Sequence, residues 1–434
     1  MKIAVIGSGI AGMTCAHLLS DEHQVELYER NDYIGGHTHT VQVEVQGQDY
    51  AVDTGFIVFN DRTYPHFRAL MRKIGVTWRD TEMSFSVRDP LSGLEYNGHS
   101  LSTLFAQRKN FFKPSFYKLL NGILKFNKRA KEAHQNLAEN QHQTLGQFLA
   151  AQHLPQEVAD YYLLPMVAAI WSASIDDAAD FPLDFFLRFF QNHGLLNVAD
   201  RPQWATIHGG SSAYIEPLIG HLKTHLHVGA QIKAVHRQHP DRQGQVTLEF
   251  ANGDLEDFDE VILACHSDEA LALLAQPTAA EKSVLGAIPY QDNEVVLHTD
   301  IRLLPREKRA WASWNYLLHH GEDARTRPSS VTYNMNILQG IEAPETFCVT
   351  LNNTDAIQPE RILRRFNYAH PVYSVESMVA RQRRAEICGQ QHTHFCGAYW
   401  YNGFHEDGVR SALDVTQRLG IAWNNELHSE LNGE

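Results

Sequence analysis

The first 29 residues constrain this chain more than any other stretch. Residues 3 to 6, Ile-Ala-Val-Ile, are a compact β-branched run suited to a central parallel strand buried on both faces. The run leads directly into Gly7-Ser8-Gly9-Ile10-Ala11-Gly12, and then into Met13 to Ser20 with Ala16, Leu18 and Leu19 at helical spacing. A second strand, Gln24 to Glu29, ends in an acid 17 positions beyond the last glycine. Each part has a physical task in holding a dinucleotide. Gly7 permits the tight turn, Gly9 lets the backbone approach a pyrophosphate, and Gly12 allows close helix-to-strand packing. The helix N-terminus offers unpaired N–H groups to the anion. Glu29 is placed to accept hydrogen bonds from ribose hydroxyls. A glycine turn alone is a weak sign, but strand, helix and acid in this order predict a dinucleotide-binding α/β domain.

Two further segments bear on which dinucleotide. After Glu29 and Arg30 come Gly35-Gly36-His37-Thr38 and then Asp53-Thr54-Gly55-Phe56. Near the C-terminus, the run Gly397-Ala-Tyr-Trp-Tyr-Asn-Gly403-Phe404-His405-Glu406-Asp407-Gly408-Val409 ends a strand in glycine and then starts a helix. On these residues the chain resembles the flavin-containing amine oxidase superfamily, which also includes protoporphyrinogen oxidases and carotenoid desaturases. The resemblance implies noncovalent FAD in a Rossmann-like domain of the GR2 type. It implies contacts from Gly7 to Gly12, from Glu29 and Arg30, from the turn Gly35 to Thr38, and from Gly55 and Phe56. The strand containing Ile232 would meet the adenine, and Gly397 with Glu406, Asp407, Gly408 and Val409 would meet the flavin ring. A helix beginning near Asp407 and Gly408 would stabilise the negative charge of a reduced flavin with its positive end. His37 stands where the superfamily usually has arginine, and a mostly neutral imidazole cannot make a forked contact. Within the superfamily the resemblance points to bacterial predicted NAD/FAD-binding proteins found with cyclopropane fatty acid synthase-like enzymes. This implies lipid chemistry and a methyltransferase as a candidate partner.

The order of these motifs makes the FAD domain discontinuous, with pieces at 1–80, 203–275 and 385–425. It interleaves with an α+β substrate domain of residues 81–202 and 276–384, followed by a tail at 426–434. Residues 81–202 read as mostly helical. Glu294 to Thr299, Trp311 to Leu318, Ser330 to Asn336 and Thr346 to Leu351 read as strands of an antiparallel sheet. Four residues are candidates for lining the substrate site. The resemblance turns Phe404 toward the flavin, as an apolar wall. Tyr214 follows the Gly209-Gly210 turn as a candidate donor, and Glu294 and His298 are candidate acids or bases, although a surface acid and a core histidine are the plainer readings of the last two. Amine oxidases place a lysine beneath flavin N5 from the first strand of the substrate sheet, and Gln291 to His298 contains none. Three functions stay open: hydride transfer between flavin N5 and an apolar, fatty-acyl or other lipid substrate; amine oxidation; or a flavin-binding scaffold for a lipid-modifying methyltransferase. No HExxH or CxxC pairing points to a metal.

Charge adds one more constraint. The net charge of −14 over 434 residues argues against a nucleic-acid partner. Five widely spaced cysteines fit a reduced compartment, and no apolar run reaches membrane-spanning length, so the expected location is cytoplasmic. Yet Tyr96 to Lys131 holds eight basic residues and no acid, leaving 29 basic against 51 acidic residues elsewhere. From Pro114 onward, Phe116, Leu119, Leu120, Ile123 and Phe126 share one helical face and Lys118, Lys125, Lys128 and Arg129 the other. Residues 108–131 are therefore a candidate peripheral contact with the inner membrane surface. The plainer reading is a domain helix with a solvated basic face.

Overall fold

The computed structural model describes residues 1–136, 143–197, 200–237 and 244–423, so the tail assigned to 426–434 lies outside the described residues. The β-branched run becomes the strand Lys2–Ile6, in the middle of five parallel strands. Their order is Leu226–Val228, Gln24–Glu29, Lys2–Ile6, Glu260–Leu263 and Thr393–Phe395. Ile3, Ala4 and Val5 are fully buried, as a central parallel strand requires. Helix Ile10–Leu19 follows the glycine turn and packs on helix His405–Arg418. A Cβ on Gly408 would stand 2.6 Å from Cγ2 of Ile10, so glycine there sets how closely the two helices approach.

The run from Leu226 to Val235 is not one strand. It breaks at Gly229, whose φ of +73° suits glycine, and Ile232–Arg237 then opens an antiparallel meander with Val246–Phe250 and Leu255–Phe258.

A second, seven-stranded sheet contains the four strands anticipated after residue 290, as Tyr290–His298, Trp314–Leu317, Val331–Asn334 and Cys348–Leu351. It is not wholly antiparallel, because Phe85–Asp89 pairs in parallel with Trp314–Leu317. That strand and Leu94–Asn97 come from the stretch read as mostly helical; both are short and carry charges that blur the alternation. The ten-residue edge strand Ile362–Pro371 also escapes a reading by pattern, since Arg364 and Arg365 side by side interrupt the period of two.

Helix Pro114–Gln135 buries Phe116, Leu119, Phe126 and Ala130. Its apolar face is thus committed to the protein core, which takes Phe116 and Phe126 out of the candidate membrane contact at residues 108–131. Buried apolar residues form two main clusters. One surrounds the parallel sheet, and the other lies between the seven-stranded sheet and the helices of residues 114–192. Phe404 packs against both.

Candidate active site

The glycine turn has the conformation its residues imply. Gly7 sits at φ +106°, and a Cβ on it would lie 2.8 Å from the Ala264 carbonyl oxygen. Gly12 leaves no room for a Cβ beside the Gly7 carbonyl. Gly9 caps the helix without a side-chain hydrogen bond, and a Cβ there would meet nothing within 4 Å. Open space thus fronts the first-turn amides of a helix whose end attracts anions.

A second turn closes over the first. Gly36, at φ +59°, would carry a Cβ 3.4 Å from Gly9 Cα, and the Gly35 amide donates to Ser8 Oγ at 3.1 Å. Ser8 donates from its amide (3.0 Å) and hydroxyl (2.6 Å) to Oε2 of Glu29, while Oε1 accepts from the Asn31 amide at 2.8 Å. A carboxylate has about four acceptor positions, so Glu29 retains capacity for a ribose. Arg30 lies apart from this turn, exposed at the surface and paired with Glu269 at 2.9 Å.

His37 is enclosed by the rings of His370, Tyr368 and His266, at centroid distances of 5.3, 5.4 and 5.8 Å. Burial, and then the neighbouring imidazoles, push it well below the usual histidine range, so it is neutral. Its buried Nε2 has no hydrogen-bond partner among the described residues. Where an arginine would bring a cation, this chain offers a neutral, unpaired ring nitrogen. Gly55 fits under the His37 carbonyl where a Cβ would collide, and the Phe56 amide donates to that carbonyl at 2.7 Å. Nearby, Asp53 accepts from Thr40 Oγ1 (2.6 Å) and from the amide and hydroxyl of Ser211 (both 2.9 Å), tying this segment to the Gly209-Gly210 turn. Burial lifts the Asp53 carboxyl to about 6.

Tyr214 is fully buried, and its hydroxyl bonds Thr38 Oγ1 and, at 3.1 Å, Nε2 of His405. Thr38 Oγ1 reaches the same nitrogen at 2.9 Å, and the His405 ring stacks on Phe56 at 3.5 Å. This closed network positions Thr38 and Phe56, and it leaves Tyr214 away from any substrate surface. Burial lowers His405 to about 3.

The last helix starts at His405, two residues before the anticipated Asp407. Its first acids turn inward. Glu406 accepts from the amide and Nδ1 of His66 (3.1 and 2.6 Å) and from the Phe67 amide (2.9 Å), capping helix Pro65–Lys73. Asp407 accepts from the Phe404 amide at 2.9 Å, and burial raises its carboxyl to about 7. Val409 is buried in the first core, and the Gly397 amide donates to Ser411 Oγ at 2.8 Å. Ile232 is half-buried against the first core.

Phe404 is half-buried, with its ring 5.3 Å from Phe189 and 6.1 Å from His193. Trp171 continues the aromatic wall at 4.7 Å from Phe189. The structure does not bring Glu294 or His298 there. Glu294 is exposed at the middle of its strand, opposite Asn367, and His298 is buried against Thr350 (2.7 Å) and the Asp300 amide (3.0 Å), lowered to about 4 by burial. What the same strand does supply is Asn293. Its Oδ1 accepts from Asn352 Nδ2 at 2.8 Å, and its Nδ2 lies 3.4 Å from Nδ1 of His370, which also meets Ser172 Oγ at 3.0 Å. Burial lowers His370 to about 4. His370 lies beside His37 and has Asn293 and Ser172 as its partners, with no motif to mark any of the three in the sequence.

The sequence profile described as "Flavin containing amine oxidoreductase" matches residues 10–337. The chain belongs to this flavin-containing amine oxidoreductase family. It is a FAD-dependent oxidoreductase by that membership, and the open face at Gly9, the stacked glycine turns and the unpaired His37 nitrogen all fit a bound dinucleotide. Among curated relatives, zeta-carotene desaturase of Synechocystis sp. is 40% identical over 76 residues, 17% of this chain and 15% of that protein. The 15-cis-phytoene desaturase of Synechococcus elongatus is 32% identical over 91 residues, 20% of this chain and 18% of that protein. The matched regions thus span under a fifth of those relatives. Solved structures of similar fold include a CLA-producing fatty acid isomerase from P. acnes, at a TM-score of 0.66 and 16% identity over 96% of this chain and 98% of that one. Cyclohexylamine oxidase from Brevibacterium oxydans has a TM-score of 0.66 at 15% identity, over 96% of this chain and 99% of that one. These likenesses show that the flavoprotein shares their fold.

Proposed function

We propose that this flavoenzyme transfers a hydride between its FAD and an apolar, lipid-like substrate lying against Phe404. The carrying observation is the placement of Phe404, which packs on both cores and stacks on Phe189. A wall of Phe404, Phe189 and Trp171 binds an alkyl or alkenyl chain by area, at about 25 cal/mol per Å², and keeps water out. Bound FAD supplies the hydride-exchanging centre at N5. The chain would hold it with Gly7 to Gly12, Glu29, Gly35 to Thr38, Gly55 and Phe56, and with the start of the last helix.

Neutral surroundings favour the same substrate class. His37 and His370 are held uncharged by burial, and Asn293 stands on the strand where amine oxidases carry a lysine. Asn293 is engaged by Asn352 and His370, and its amide cannot carry a proton away as an amine can. The names of the carotenoid desaturase relatives lend support, since a carotenoid is a lipophilic chain.

Anaerobic mixing of the FAD-loaded protein with an unsaturated fatty acid, a carotenoid hydrocarbon or an amine panel tests the proposal. Bleaching of the oxidised flavin by a lipid and not by amines is the expected result. Bleaching by amines alone, with peroxide release on readmitting oxygen, would overturn it.

A further inference from the structure

From the segment 101–131 we infer that this protein docks on anionic phospholipid bilayers, through an exposed aromatic edge ringed by lysines rather than through the face of helix Pro114–Gln135 that the hydrophobic pattern suggests. That face is spent on the core. What stays outside is different: Phe112 is 88% exposed, Leu124 54%, Tyr117 47% and Phe111 43%. These form one edge. The Tyr117 hydroxyl donates to the Phe111 carbonyl at 3.1 Å, and Phe105 stacks on Phe111 at 4.1 Å with Tyr117 at 6.0 Å. Tyr117 and Leu124, seven residues apart, continue it along one helical stripe.

Large apolar side chains left this exposed cost solubility unless something covers them. Charge selects the cover. Among the described residues, Arg108, Lys109, Lys113, Lys125 and Lys131 have no carboxylate within ion-pair distance, whereas Lys118 is paired with Glu157 at 3.0 Å and Lys128 reaches Glu132 at 4.0 Å. A second copy of this chain meeting this edge with its own would set Lys109, Lys113 and Lys125 against their own counterparts, and like charges repel. An anionic headgroup layer over hydrocarbon meets both needs at once, with lysines at the phosphates and rings at the acyl boundary. No described helix is long and apolar enough to cross a membrane, so the contact is peripheral.

The edge also connects with the interior. On the buried side of the same helix, Phe126 lies 6.2 Å from Phe186, and Phe186 belongs to helix Leu183–Asn192, whose Phe189 stacks on Phe404. Docking would therefore set the aromatic wall one helix away from the bilayer.

Sedimentation of the FAD-loaded protein with vesicles tests this without reference to turnover. One set contains equal parts phosphatidylglycerol and phosphatidylcholine, and the other phosphatidylcholine alone. Binding to the first set, at least about tenfold weaker binding to the second, and release by salt are expected. The double variant F111S/F112S should bind the anionic set at least about tenfold more weakly, and K109E/K113E likewise, both with unchanged flavin content and melting temperature. Equal affinity for the two sets, absence of binding, or wild-type binding by both variants would overturn the inference. So would a dimer in light scattering that F111S/F112S converts to a monomer, since a second copy would then be the cover.

Discussion

Replacing Gly9 by alanine separates holding the cofactor from holding the fold. Gly9 has φ −64° and ψ 172°, a backbone that alanine adopts freely, and its Cβ would meet no heavy atom within 4 Å. Alanine gains about 0.4–1 kcal/mol by restricting the unfolded chain. It loses about 0.5–1 kcal/mol as the poorer N-cap. The two offset each other, so the cofactor-free protein should melt within about 2 °C of wild type. The methyl group, however, fills the space through which a pyrophosphate reaches the first-turn amides. Losing one charge-assisted hydrogen bond costs about 1.5–3 kcal/mol, so FAD affinity should fall by about tenfold to a hundredfold. Gly12→Ala behaves oppositely. Its Cβ collides with the Gly7 carbonyl and lies 3.1 Å from Ala264 Cβ, so the helix must lift from the strand. Overpacking of about 1–3 kcal/mol there exceeds the gain of about 1 kcal/mol in helix propensity. Thermal melts of the cofactor-free proteins and flavin-fluorescence titrations read both quantities. A Gly9→Ala protein that melts several degrees lower, or that binds FAD as wild type does, refutes the assignment of this turn.

Glu406→Ala removes three hydrogen bonds to the start of helix Pro65–Lys73 and should destabilise the protein by about 2 kcal/mol, read by urea unfolding; a loss under about 0.5 kcal/mol would show that the cap is idle. Burial keeps the Asp407 proton on up to about pH 7 in the folded state, whereas the unfolded chain releases it near pH 4. The folded state thus binds the extra proton, and stability falls as pH rises between those values, by up to about 1.4 kcal/mol per unit. Asp407→Asn should flatten that slope, and a variant with the wild-type slope would count against it. Phe404→Ala should lower kcat/KM for a lipid substrate by about tenfold to a hundredfold while keeping FAD, whereas unchanged turnover would remove Phe404 from the substrate surface.

Much of the cofactor cradle could be read from residues in order, because its demands are local. Positive φ at Gly7 and Gly36, and the absence of a Cβ at Gly12, follow from turns only a few residues long. The family followed from the same segments. Other features resisted. Strand Ile362–Pro371 hides behind Arg364 and Arg365, so His370 could not be placed beside His37. Glu406 and Asp407, next to the flavin segment in sequence, proved to be caps. Tyr214, a candidate donor, proved to be the buried partner of Thr38 and His405.

By itself, then, the sequence determined the central strand and the glycine turns, since backbone sterics act between neighbours in the chain, and its resemblance to a family carried the class of cofactor. Tertiary structure alone decided which histidines are neutral, which aromatic rings face solvent, and that Phe404 bridges the two cores. Burial and field are sums over groups from distant segments, and they exist only after those segments meet. The basic stretch shows the division most plainly. Its charge is a property of the sequence, but whether Phe116 or Phe112 is the exposed ring depends on what packs beneath the helix.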